Sequence, residues 1–98
     1  MNNFELLESA GFKKFQSSEV PFPWWINVAS NMAFKFEAVE DADFHWLADR
    51  IRGQAESGDF LFYFAYGTTM DAGLCDQILV RLGKDDLTPV VQRIFPAQ

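Results

Sequence analysis

The stretch that decides the fold is Asp-Phe-Leu-Phe-Tyr-Phe-Ala-Tyr-Gly, residues 59–67. Side chains alternate between two faces in an extended chain, so three phenylalanines and Tyr66 lie on one face and Leu61, Tyr63 and Ala65 on the other. An extended stretch that is apolar on both faces is typical of an inner strand covered on both sides of its sheet. Residues 59–67 therefore predict a central strand. A buried helix segment is the alternative, which the length and the aromatic content disfavour.

The segments before this strand predict a helix and then a hairpin. Asn2 or Asn3 can cap a short helix that closes at Gly11. Trp24 to Val39 then alternates as a hairpin does, with a turn at Ser30-Asn31. Because Lys35 and Glu37 share one side of the hairpin, we expect its outer face to meet water.

Two further helices flank the predicted central strand. The first is capped by Asp41 or Asp43 and has an apolar stripe at helical spacing. The members of that stripe are Phe44, Leu47, Ala48, Ile51 and Ala55. The second helix is capped by Thr68-Thr69 and ends at Gly83, with an inward side formed by Leu74, Cys75, Ile78, Leu79 and Leu82.

The chain finishes in an apolar stretch, Pro89 to Phe95, that predicts an edge strand, where proline is tolerated. We therefore predict one α+β domain over residues 1–98, in the order α-β-β-α-β-α-β. It has a small mixed sheet of about four strands, with helices mainly on one face. The apolar edge also favours pairing between two copies, so a homodimer and a monomer both remain open.

The charge and the cysteine content limit the classes of partner. Fourteen acidic and eight basic residues give a net charge of −6. This charge disfavours direct binding to nucleic acid or to anionic membrane, and it favours a basic protein surface, such as that of a nucleic-acid-binding protein. Solubility alone is the simpler explanation. The single cysteine allows no internal disulfide, and no apolar run approaches the ~20 residues of a membrane span. We expect a cytoplasmic protein without a cofactor.

Phe64-Ala65-Tyr66-Gly67-Thr68-Thr69-Met70 resembles the Tyr-Phe-Ala-Tyr-Gly-Ser-Asn-Met segment of gamma-glutamylcyclotransferase-like proteins. The resemblance implies a strand that ends in a glycine-bearing loop, whose backbone N–H groups bind a substrate carboxylate near Gly67 and Thr68. A helix that starts there would supply such groups. However, Thr68-Thr69 replace the family's Ser-Asn, and no glutamate follows Met70 to match the family's catalytic one. A cyclotransferase-like or carboxylate-binding enzyme is therefore the alternative function.

Two further constellations could carry chemistry. His45 and Cys75 are the only residues of their kinds, and would form a nucleophilic pair only if they were in contact. Asp41, Asp43 and His45 alternate and could hold a divalent metal. Yet Cys75 lies on an apolar helix stripe, and the two aspartates stand where a helix start favours carboxylates. We predict neither catalytic nor metal-binding residues.

The remaining feature is a run of four carboxylates within seven residues, namely Glu37, Glu40, Asp41 and Asp43. A basic partner would relieve their mutual repulsion. Aromatic anchors inside a charged rim are common in protein interfaces. We therefore predict a partner-binding surface made of these four residues together with Trp24, Trp25 and Trp46. The alternative is a solvated surface plus a helix cap.

Together these patterns favour a small acidic binding protein over an enzyme. The expected activity is that of an inhibitor docking on a basic surface. In size and charge the chain resembles the anti-CRISPR inhibitors of phages and the immunity proteins that neutralise bacterial nucleases.

Overall fold

The computed structural model describes residues 2–65, 67–69 and 71–94. In these ranges the helices are α1 (Asn3–Ser9), α2 (Leu47–Gln54) and α3 (Ala72–Arg81). The strands are β1 (Lys13–Phe15), β2 (Trp24–Asn27), β3 (Met32–Lys35), β4 (Asp59–Ala65) and β5 (Thr88–Ile94), and a 3-10 helix, Phe36–Ala38, follows β3. The predicted α+β class is confirmed, with five strands rather than about four. In the part of the chain described, no helix has both the length and the apolar character needed to cross a bilayer.

The five strands form one mixed sheet in the order β1-β2-β3-β4-β5. The first three are antiparallel neighbours, whereas β3, β4 and β5 run parallel to one another. The strand missing from the prediction is β1, which pairs with β2 over three residues. Its sequence, Lys-Lys-Phe, is too short and too polar to show the alternation from which a strand can be predicted.

The predicted central strand is confirmed as β4, which has a neighbour on each side. Phe60 and Phe62 are fully buried on one face of the sheet, and Leu61 and Tyr63 are buried on the other. Tyr66 lies outside the described residues. The predicted edge strand is also confirmed as β5, apart from Phe95, which lies outside them too.

Each face of the sheet carries its own hydrophobic core. The α1–α2 core contains Leu7, Leu47, Phe34 and Tyr63, with Ile51 packed against it. The α3 core, on the opposite face, contains Trp24, Phe60, Phe62, Cys75, Ile78 and Leu79. Two of the three described helices therefore lie on one face and the third on the other.

The hairpin of β2 and β3 differs from the prediction on its outer side. Its turn is confirmed, since Asn31 adopts the left-handed conformation with φ 54°. Every residue of both strands is buried, so the expected water-facing side is wrong. Lys35 is accommodated because its ammonium group lies 4.1 Å from the centre of the Phe22 ring and 2.8 Å from the Glu37 carboxylate.

The helix starts also differ from the prediction. Neither Asp41 nor Asp43 caps α2, because this helix begins only at Leu47, after Trp46, and has no side-chain cap. Ala48 and Ala55 of the predicted stripe are exposed. The cap of α3 is Asp71, whose carboxylate accepts a hydrogen bond of 2.8 Å from the N–H of Gly73, and not Thr68-Thr69.

We expect Phe62→Ala to lower the free energy of unfolding by roughly 3–5 kcal/mol, since it empties a packed aromatic site in the α3 core. The Phe62 ring contacts Trp24 edge-on, with the ring centres 5.6 Å apart, and Phe60 at 5.0 Å. Chemical denaturation measures the loss. Val28→Ala, in the exposed turn between β2 and β3, is the control and should change stability by no more than about 0.5 kcal/mol. Equal stability of the two variants would contradict the two-core description.

Candidate functional site

The four predicted carboxylates lie on residues 37–43, which we call the acidic loop. One side chain from the start of the chain holds this loop in place. The amide of Asn3 donates to the carbonyl oxygens of Val39, Glu40 and Ala42, at 2.7, 3.1 and 2.8 Å. Asn3 is the first residue of α1, so the loop is attached directly to a helix.

The carboxylates of the acidic loop differ in their local partners. Glu37 forms an ion pair with Lys35, and Asp43 contacts the imidazole Nδ1 of His45 at 2.9 Å. Hydrogen bonds from the side chain and the backbone of His45 lower the pKa of Asp43. Glu40 and Asp41 are exposed and form no ion pair with any described residue. Glu40 and Asp41 are therefore the two carboxylates of the loop without an ion pair or a histidine contact among the described residues.

The structure places the three predicted tryptophans in different environments. Trp24 is 0% exposed in the α3 core and Trp25 is 8% exposed in the α1–α2 core, so neither can serve as a surface anchor, and that prediction is wrong for both. Trp46 is partly exposed and packs on Tyr63, with the ring centres 5.3 Å apart. Only Trp46 lies where a partner could contact it.

A groove of about 590 Å³ adjoins the acidic loop at Asp43. It lies between the start of α2 and the carboxyl ends of β4 and β5, the end of a parallel sheet where ligands commonly bind. Its lining residues are Asp43, His45, Trp46, Asp49, Arg50, Tyr63, Gln92, Arg93 and Ile94. Asp43 and Trp46 were predicted from the sequence as binding residues. The residues of β5 were not, because only the folded sheet brings them close to Asp43 and Trp46.

The polar groups of the groove have mixed charge. Burial raises the pKa of Tyr63, and the nearby positive charge of Arg50 opposes that shift. Asp49 forms an ion pair with Arg52. The guanidinium group of Arg93 lies 5.5 Å from the centre of the Phe64 ring, which belongs to the opposite face of the sheet. The aromatic surface of Trp46 and Tyr63 is therefore bordered by acidic and basic side chains.

Among its described residues, the structure forms neither the nucleophilic pair nor the metal site that the sequence suggested as candidates. Cys75 is fully buried in the α3 core, whereas His45 is exposed on the α1–α2 side, so the sheet separates them. Burial raises the pKa of the Cys75 thiol to about 11. Throughout residues 2–65, 67–69 and 71–94, no three His, Cys, Asp or Glu side chains form a group that could hold a metal ion.

The Gly67-Thr68 segment begins no helix. The N–H of Thr68 donates to the carbonyl of Ala65 at 3.1 Å, and the helix that follows starts at Ala72. Asp71 places a carboxylate at the first turn of that helix, in the position that an anionic ligand would need. Tyr66 and Met70 of the cyclotransferase-like segment lie outside the described residues.

No protein-family model, no curated protein and no solved structure matches this chain. Its function must therefore be inferred from the acidic loop and the groove beside it.

We expect Asn3→Ala to destabilise the protein by about 1–2 kcal/mol, because three carbonyl groups of the acidic loop lose their donor. Asn3→Asp should destabilise it more. An aspartate suits the start of α1 electrostatically, but it would direct a carboxylate at those three carbonyls. Chemical denaturation and amide hydrogen exchange over residues 39–43 measure both effects. An Asn3→Asp protein as stable as the wild type would show that the amide does not hold the loop.

We expect Cys75 to resist thiol reagents at pH 8 in the folded protein, since the thiol is buried and protonated. Val80→Cys supplies a matched control, because Val80 is on the same helix but 61% exposed, and its thiol should react at once. Raising the pH from 9 towards 11 should also lower stability, because the thiol of the unfolded chain ionises first. Rapid labelling of Cys75 under native conditions would contradict its placement in the core.

Proposed function

We propose that this chain is a small, acidic, non-enzymatic binding protein that docks on a basic surface of another protein through the acidic loop. Glu40 and Asp41 supply the charge that meets the partner. Trp46, which lines the adjoining groove, supplies the aromatic contact. The observation that carries this proposal is the amide of Asn3, which donates to three carbonyls of the loop and holds the backbone from which its carboxylates project.

A loop that is held before binding loses little conformational freedom when it meets a partner, so more of the interaction energy remains for affinity. The same loop without the Asn3 contacts would have to be ordered in the complex. A solvated charged surface requires no such attachment. The attachment of the loop to Asn3 therefore supports recognition as its role.

The side-chain contacts of the four carboxylates divide them into two groups. Glu37 already has the charge of Lys35 beside it, so a basic surface gains less from it, and Asp43 already accepts hydrogen bonds from His45. Glu40 and Asp41 are exposed and can be neutralised by lysines or arginines of a partner. Charges at the rim of an interface act mainly on the rate of encounter, and a partly buried aromatic ring acts mainly on the rate of dissociation.

In its narrower form, the proposal is an inhibitor that works in the cytoplasm and covers the basic, nucleic-acid-binding surface of its target, as anti-CRISPR proteins and nuclease immunity proteins do. Its support is the small size, the net charge of −6 and the single cysteine.

The test is a comparison of three baits in a pull-down from a bacterial lysate at low and at high salt. The baits are the wild type, the double reversal Glu40→Lys/Asp41→Lys, and the control Asp85→Lys/Asp86→Lys. The control makes the same change in net charge, in the exposed turn before β5. We expect a basic protein to bind the wild type and the control, to be lost from the loop reversal, and to be released by salt because the attraction is screened over ~8 Å at physiological ionic strength.

With that protein purified, association and dissociation rates separate the two contributions. The loop reversal should slow association, and Trp46→Ala should speed dissociation. Because Trp46 also packs on Phe34, Phe44 and Tyr63, the folding of its variant is checked by circular dichroism. Identical sets of captured proteins for the two charge reversals would overturn the proposal.

A further inference from the structure

The last strand of the sheet, β5, has one side that is paired and one side that is not. Its paired side bonds to β4 in parallel over seven residues, and α3 packs against it. No described strand pairs with its other side, since β5 ends the strand order. Unpaired backbone N–H and C=O groups on such a side favour the addition of another strand.

The direction of each backbone group of β5 follows from one hydrogen bond. The N–H of Thr88 donates to Gly58 at 3.1 Å, so the backbone groups of Thr88 point towards β4. Successive residues of a strand alternate in this direction, so Val90, Gln92 and Ile94 also point towards β4. The outward backbone groups then belong to Pro89, Val91 and Arg93. Proline lacks an N–H, so the only outward donors are those of Val91 and Arg93.

We propose that two copies of this chain pair through β5, antiparallel and centred on Val91, to form one continuous sheet. In this register Val91 lies opposite Val91 of the second copy, and the two exchange both backbone hydrogen bonds. Arg93 lies opposite Pro89 of the second copy, and its N–H donates to the proline carbonyl. Pro89, which lacks an N–H donor, therefore lies at the end of the paired segment and not at its centre.

The side chains of β5 suit such pairing. Val91 is 39% exposed and would meet its own copy, an apolar contact between β-branched residues that stabilises neighbouring strands. Arg93 would face a proline rather than another charge. Strand β5 contains no acidic residue, although the chain carries a net charge of −6, so mutual repulsion is weak along this edge.

The opposite edge of the sheet is poorly suited to the same role. Strand β1 is only three residues long, and two of them are the exposed Lys13 and Lys14. Short strands and lysines are the features by which proteins prevent pairing at an edge. The proposed pairing therefore closes at two copies and does not continue into a fibre.

This register also relates the two grooves. A two-fold axis through the paired Val91 residues, perpendicular to the sheet, leaves the same face of both copies on the same side. Gln92 lines the groove of one copy and would lie opposite Val90 of the other. The two grooves would therefore open side by side on one face of the dimer.

Sedimentation equilibrium over a range of concentrations tests the pairing. We expect the wild type to form a dimer that tightens as salt rises, because salt screens the repulsion between two acidic chains. Val91→Lys places two like charges opposite each other and should raise the dimer dissociation constant about tenfold or more. Val28→Lys, the same substitution at another exposed valine, is the control and should dimerise as the wild type does.

Cysteine cross-linking tests the register. Val91→Cys should form an intermolecular disulfide on mild oxidation, because each residue 91 meets its own copy, whereas Gln92→Cys should not. The native Cys75 is buried and does not interfere. A wild-type chain that stays monomeric at all concentrations, equal dimerisation of the two lysine variants, or cross-linking through Gln92→Cys alone would each overturn the proposal.

Discussion

The fold depends on one constraint, which is that both faces of β4 must be kept from water. Phe60 and Phe62 on one face and Leu61 and Tyr63 on the other each gain about 1.5–3 kcal/mol from burial, and a layer of helices on one side only would forfeit half of this gain. The chain therefore places α2, which precedes β4, on one face and α3, which follows it, on the other.

This arrangement has a topological result. Strands β3, β4 and β5 are parallel and follow one another across the sheet in a single direction. Two connections that step in the same direction but cross opposite faces must have opposite hands. About 98% of such connections in proteins are right-handed, so one of the two here is of the uncommon kind. The apolar residues on both faces of β4 therefore require helices on both faces, and this placement gives the two connections opposite hands.

Features of the fold that are determined by residues adjacent in the sequence could be predicted, whereas features that depend on residues far apart in the sequence could not. The strand β4, the turn at Asn31 and the cap of α1 by Asn2 each follow from a few adjacent residues, and each was predictable. The role of Asp41 and Asp43 was not. They precede an apolar helix pattern as caps do, but α2 starts later, and the loop is fixed by Asn3 from 39 residues away at its farthest bond. The groove could not be predicted either, because its lining residues come from α2, β4 and β5, which are separated in the sequence.

The neighbouring residues Trp24 and Trp25 have a consequence for spectroscopy. Because β2 is buried on both faces, two adjacent tryptophans project into two separate cores, and the indole N–H of each has no hydrogen-bond partner among the described residues. In their apolar surroundings both rings should fluoresce at short wavelength. With Trp46 and one of the pair replaced by phenylalanine, the remaining ring would report on a single core. The chain therefore contains a separate optical probe on each side of its sheet, which can reveal whether the two layers melt together or in turn.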